Sequence, residues 1–158
     1  MSEGRLLLLL KVLTLALTAI ILVPSGAHLF ELPGKIDLAR DADFSVQGIY
    51  AGWALFGIPI IAAILANGAL YMTLRRRAPQ AARWALASAA LIAASLAVFF
   101  VWIFPANQAT VNWTTIPDNW EALRWHWEYA HAANALILFA ALLATAMAAA
   151  SPEDRRRS

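Results

Sequence analysis

The run LLLLLKVLTLALTAIILVPSGAHL, residues 6–29, decides the class of this chain. At about 1.5 Å of rise per residue it is long enough to cross a hydrocarbon layer of about 30 Å, and a single cation, Lys11, interrupts it. Three further stretches qualify in the same way, at residues 46–74, 83–104 and 125–150. With 61% hydrophobic and 14% charged residues over 158 positions, the composition is too apolar for an ordinary soluble domain. The expected fold is therefore all-α: an integral membrane four-helix bundle forming a single transmembrane domain over residues 1–158, with the lipid bilayer as its principal partner.

Charge sets the expected orientation. Arg5, Lys11, Arg75, Arg76, Arg77, Arg83, Arg155, Arg156 and Arg157 make nine of the twelve cations, and all fall on one side of the four segments. The positive-inside rule then places the N- and C-termini and the 75–83 link in the cytoplasm, in a multi-pass protein of the cell (inner) membrane. The opposite, periplasmic or extracellular side carries Glu31, Asp37, Asp41, Asp43, Asp118, Glu121 and Glu128. Trp113, Trp120, Trp125 and Trp127 lie there too, as an interfacial aromatic belt would. The basic pI of 9.4 does not indicate nucleic acid, because the cations sit at segment ends rather than on one soluble face.

Pro24 and Pro59 fall inside apolar segments and are expected to bend their helices. Pro33-Gly34 is expected to end the first helix, residues 36–45 to form a charged loop, and Pro105 to end the third helix. Gly48 and Gly52 make a G-x-x-x-G that permits close packing within the chain or self-association into a homo-oligomer. A signal peptide cleaved before His28 is disfavoured by Lys11 and by the apolar Leu29 and Phe30 beyond the cut. Without cysteine the chain has no disulfide, thiolate metal site or cysteine nucleophile. It also lacks a P-loop, a Gly-rich strand-to-helix turn and a nucleophile elbow.

Two mirrored pairs carry the chemistry: His28 and Glu31 where the first segment ends, Glu128 and His131 where the last begins. A spacing of three returns a side chain to nearly the same helix face, and the helices run in opposite directions, so both pairs reach the same depth with the Glu nearer the surface. Ionisable groups at membrane depth are costly and face the protein interior or a water-filled cavity. On the last helix Glu121, Arg124, Glu128, His131 and Ala135 fall on one stripe, with Asn134 beside it and His126 pointing away. Imidazole and carboxylate together suit iron, copper or zinc, so His28, Glu31, Glu128 and His131 are candidate metal ligands. Gln47, Tyr50, Asn107 and Gln108 add too few carboxylates for a di-iron site. Haem between His28 and His131 ranks lower, and a metal-free site stays open. The bland alternative is an Arg124–Glu128 ion pair and His–carboxylate bonds that merely tie helices together.

The string from His28 to Lys35 (HLFELPGK), Pro105-Ala106-Asn107 after the third helix, and Trp120-Glu121-Ala122-Leu123-Arg124 leading to Trp127-Glu128-Tyr129-Ala130-His131 resemble the anthrone oxygenase-like family. These are small four-helix membrane proteins, many of them bacterial and filed as a domain of unknown function. The resemblance spans residues 6–150. It implies oxidation of a lipophilic phenol, quinol or anthrone by dioxygen, an oxidoreductase activity, with Asn107, Trp120, Arg124, Trp127 and His131 as the shared core. Relatives often carry Arg where this chain has Asn134, so an anion-binding role is not carried over.

Two mechanisms are expected to compete. In one, His28, His131 and the glutamates hold a redox-active ion. In the other, His131 or Glu128 is the general base, Arg124 stabilises the resulting anion, and Asn107, Trp120, Trp127, Tyr50 and Asn134 line the substrate pocket. The alternative class is a non-enzymatic protein, either a subunit of a larger membrane complex or a binder of lipid, quinone, haem or metal.

Overall fold

The computed structural model describes residues 2–152, all of whose regular structure is helical. Arg155, Arg156 and Arg157 lie outside the described residues. Helix α1 runs Glu3–Lys35, the short α2 Arg40–Gln47, α3 Gly57–Leu74, α4 Pro79–Val98, α5 Phe104–Ala109 and α6 Trp120–Ala150. A π-helical turn, Phe99–Ile103, joins α4 to α5. Four helical stretches are long and apolar enough to cross a membrane: Glu3–Lys35, Trp53–Leu74, Pro79–Ala109 and Trp120–Ala150.

These four pack in a closed order of neighbours, α1 against α6 and α3, α4 against α3 and α6. Alanines line the contacts: Ala78, Ala81, Ala82, Ala85 and Ala148 near one end, and Ala63 and Ala141 with Ile21, Ile92 and Leu138 in the middle. Small side chains let helix backbones approach closely where lipid supplies no hydrophobic drive. Leu9, Val12, Val23, Leu55, Ile58 and Leu65 instead face outward, each more than half exposed. Such a girdle is tolerable in hydrocarbon and a liability in water.

Midway along the helices, one polar side chain from each closes a network. Asn67 Nδ2 donates to Thr18 Oγ1 at 3.3 Å, Thr145 Oγ1 donates to Asn67 Oδ1 at 3.2 Å, and Ser88 Oγ lies 2.8 Å from Thr145 Oγ1. All four residues are fully buried and hydrogen-bonded. That is how polar groups fix helix register in an apolar medium, each bond contributing roughly 0.6 kcal/mol.

Several sequence expectations are corrected here. Helix α1 continues through Pro33-Gly34 to Lys35. Pro33 removes one backbone donor, yet the extra turn places Lys35 four residues beyond Glu31, where its ammonium finds partners described below. Residues 46–74 are not one helix. After α2 the chain makes 3₁₀ turns at Gly48–Tyr50 and Trp53–Phe56, and Gly52 between them has φ +85°, a conformation that favours glycine. Gly48 and Gly52 therefore do not form a helix-packing motif. Much of the expected 36–45 loop is α2. Pro59 lies in the first turn of α3, where its missing N–H leaves no bond unmade, so it has no cause to bend that helix.

The third span begins at Pro79 and runs past Pro105 to Ala109. Pro105 cannot donate to the carbonyl of Val101, and the wider π turn just before it absorbs the mismatch. The fourth helix begins five residues earlier than expected, at Trp120.

Candidate functional site

Glu3 and Arg77 pair at 3.2 Å, so the N-terminus and the basic 75–78 link share one end of the molecule. The mirrored His/Glu pairs meet at the other, distal end. The rings of His28 and His131 stack with centroids 3.9 Å apart, as the antiparallel register of α1 and α6 requires. Tyr50 and Trp53, on either side of the Gly52 turn, pack against His28 at 4.5 and 5.6 Å. Trp127 closes another side, 4.8 Å from His28 and 4.3 Å from His131.

The decisive residue is one the sequence reading passed over. Lys35 is 5% exposed, and its Nζ lies 2.8 Å from Oε1 of the fully buried Glu128. The same ammonium donates to the Tyr50 hydroxyl at 2.7 Å and sits 3.9 Å from Glu31 Oε2. Tyr50 in turn donates its hydroxyl hydrogen to Glu31. The rings of Tyr50 and Trp127 lie 4.5 and 5.0 Å from Nζ, so the cation also rests on two aromatic faces. The signal in the sequence was the i, i+4 step from Glu31 to Lys35, hidden by the assumption that Pro33 stops the helix.

The expected Arg124–Glu128 pair does not form. Arg124 is buried, donates from an Nη to the Leu38 carbonyl at 2.6 Å and stacks over Trp120 at 4.8 Å. It tethers the chain before α2, while Glu128 takes Lys35. Glu121 is exposed, outside the polar stripe, and His126 is exposed as expected, with Nδ1 2.7 Å from the Ala122 carbonyl.

Trp125 is exposed, whereas Trp113 and Trp127, also expected in the belt, are buried. Both donate Nε1–H to Asn107 Oδ1, at 3.1 and 2.8 Å. Asn107 thus positions Trp127 against the two histidines. Trp113 is delivered to it by a turn in which Val111, Asn112 and Trp113 all have positive φ, between 50° and 63°, a strained arrangement braced by Trp113 N–H to Thr110 Oγ1 at 3.0 Å.

Buried polar atoms without a hydrogen-bond partner gather at this same end. They include His28 Nδ1, both carboxylate oxygens of Asp43, both amide atoms of Gln47, Arg124 Nε, Glu128 Oε2 and Asn134 Oδ1. Native interiors leave few such groups, and here they concentrate at one end while the mid-helix network is fully satisfied. Asp43 and Gln47, one turn apart on α2, were not anticipated as inward-facing.

Burial raises the Asp43 carboxyl above its usual range, opposed by the nearby charges of Arg124 and Lys35 and by Gln47. Burial and the carboxylate of Glu31 likewise raise the Tyr50 phenol, holding it neutral. A carboxyl whose folded pKa is raised costs stability as pH climbs from the unfolded value through the folded one. Asp43→Asn is therefore expected to raise the thermal midpoint near pH 7 by about 2–4 °C, with the gain vanishing below about pH 4. A midpoint lowered at both pH values would show instead that the carboxylate is held by favourable contacts.

Among the described residues no three His, Asp or Glu side chains converge as ion ligands. Lys35 stands between Glu31 and Glu128, and the His28 and His131 rings stack at 3.9 Å. A separate groove of about 530 Å³ lies on the flank between α4 and α6, lined by Val98, Trp102, Trp125, His126, Tyr129 and Ala130. Its lining is almost wholly apolar, and the Lys35 cluster is not part of it.

Compared with known protein families, characterised proteins and solved structures, the chain matches none. The resemblance to the anthrone oxygenase-like family rests on the quoted residues alone.

Proposed function

We propose that this chain is a four-helix membrane bundle whose distal end is an acid–base site acting on a lipophilic phenol-, quinol- or anthrone-type molecule with dioxygen. The cation bias supports termini and a 75–83 link in the cytoplasm, with the site on the far side of the cell membrane. The observation that carries the reading is the cluster of buried polar atoms without partners around Lys35–Glu128, walled by Tyr50, Trp53 and Trp127. A flat aromatic substrate suits such walls.

The chemistry needs only groups already present. Glu128 or His131 removes a proton from the activated C–H or O–H of the substrate, and the Lys35 ammonium stabilises the anion in a dry environment. For an anthrone methylene, the carbanion adds dioxygen, protonation gives a hydroperoxide, and loss of water leaves the new carbonyl.

The test is oxygen uptake by the detergent-purified protein over a panel of anthrones, phenols and quinols, beside His131→Ala and Glu128→Gln. Turnover reduced at least about a hundredfold in either variant supports the reading. Full turnover in both His131→Ala and Glu128→Gln, or none of the panel consumed by the wild type, overturns it. The apolar α4/α6 groove supports the second reading, a binding protein or complex subunit, and a stoichiometric partner in mild detergent would favour that.

A further inference from the structure

The proposed base, Glu128, is fully buried, so a proton it collects has to leave for a second turnover to begin. One continuous line of polar contacts leads outward from it, an ion pair followed by two hydrogen bonds. Lys35 Nζ is 2.8 Å from Glu128 Oε1 and donates at 2.7 Å to the Tyr50 hydroxyl, which donates to Oε2 of Glu31. Glu31 has 35% of its side chain exposed. The line thus joins a carboxylate sealed from solvent to one that reaches it, through side chains with exchangeable protons.

The direction of donation matters as much as continuity. Every donor on the outward half points away from Glu128, so a proton can shift toward solvent without the tyrosine hydroxyl first turning round. We infer that Lys35, Tyr50 and Glu31 form a proton exit that carries the proton taken by Glu128 to the outer aqueous face. This rests on Glu128 acting as a base, as proposed above.

The step conserves atoms and charge. Lys35 passes a proton to the Tyr50 oxygen as Tyr50 passes its own to the Glu31 carboxylate, leaving a neutral amine, an unchanged phenol and a neutral Glu31. The Glu128 acid then reprotonates the amine, and Glu31 releases its proton to water. No heavy-atom bond forms or breaks, and no electron moves. The cation at Lys35 is restored beside the restored Glu128 carboxylate, so the buried pair goes from a net charge of +1 to neutral as the proton leaves.

The alternative is that Tyr50 simply covers Lys35 and excludes water. The two roles predict opposite signs for one measurement. Lys11 and Lys35 are the only lysines in the chain, so ¹⁵N-lysine labelling gives two side-chain ammonium signals, and Lys11→Arg assigns them. Exchange of the Lys35 ammonium hydrogens with water is then read by NMR in detergent or nanodiscs, with no substrate needed. Tyr50→Phe keeps the ring and removes the one oxygen of the relay. Exchange slowed about a hundredfold, with the ammonium signal retained, is the expected result. Exchange that is unchanged, or faster because the cover has loosened, overturns the relay.

Glu31→Gln provides the second arm, because glutamine still accepts from Tyr50 but cannot take up the proton. It should slow exchange in the same direction. A wild-type rate there overturns the exit even if Tyr50→Phe fails to fold. Since the readout involves no turnover, the relay can fail while oxygen uptake stands, and the reverse.

Discussion

Lys35→Met is expected to destabilise the protein by about 3–5 kcal/mol, enough that little monodisperse material survives extraction into detergent. Methionine matches the aliphatic stem of lysine, so the packing change is small. What goes is the charge 2.8 Å from a carboxylate with no exposure, and removing one partner of a buried pair leaves the other paying its desolvation unaided. Tyr50 also loses a donor, and two aromatic faces lose their cation. The double variant Lys35→Met/Glu128→Gln discriminates this cause from general damage, because it removes the orphaned charge along with its partner. It should recover most of the lost stability, as replacing whole buried pairs often does. Thermal unfolding followed by size-exclusion chromatography checks both. A single variant as stable as wild type would mean that Glu128 is neutral at rest and Lys35 unimportant to the fold.

How far the site could be read in advance follows from which residues depended on a helix boundary. The periodic pairs needed only the spacing of three and antiparallel helices, and His28 and His131 do meet, stacked across α1 and α6. The long apolar runs located four spans, although their ends moved by up to seven residues at the second span, where Gly52 turns the chain. Lys35 was lost because proline usually stops a helix, whereas α1 runs on through Pro33 to Lys35, whose ammonium lies 2.8 Å from Glu128. Asp43 and Gln47 were lost because a charged eight-residue segment reads as loop, its short helix being legible only once it is seen lying with two polar residues inward. Trp113 and Trp127 were misassigned to an interfacial belt, since composition cannot show that a single Asn107 oxygen will accept both indoles.

Glu128→Gln is expected to lower turnover of any accepted substrate by about 10²–10⁴-fold, the span a positioned proton-transfer group contributes. Glutamine keeps the length and an acceptor oxygen for Lys35 but cannot hold the substrate's proton. The loss should therefore fall in kcat with KM little changed, the mark of an interaction made only in the transition state. Folding should suffer less than in Lys35→Met, and the reason is an asymmetry of partners. Glu128 has one cation at hand, whereas Lys35 retains Glu31 at 3.9 Å and the Tyr50 hydroxyl at 2.7 Å when Glu128 is neutralised. Oxygen uptake measured beside the thermal midpoint separates the two effects. A variant that keeps wild-type kcat would remove Glu128 from the chemistry and leave the proton-accepting role to the stacked His28–His131 pair. A variant that loses stability and activity in parallel would make Glu128 a structural anchor.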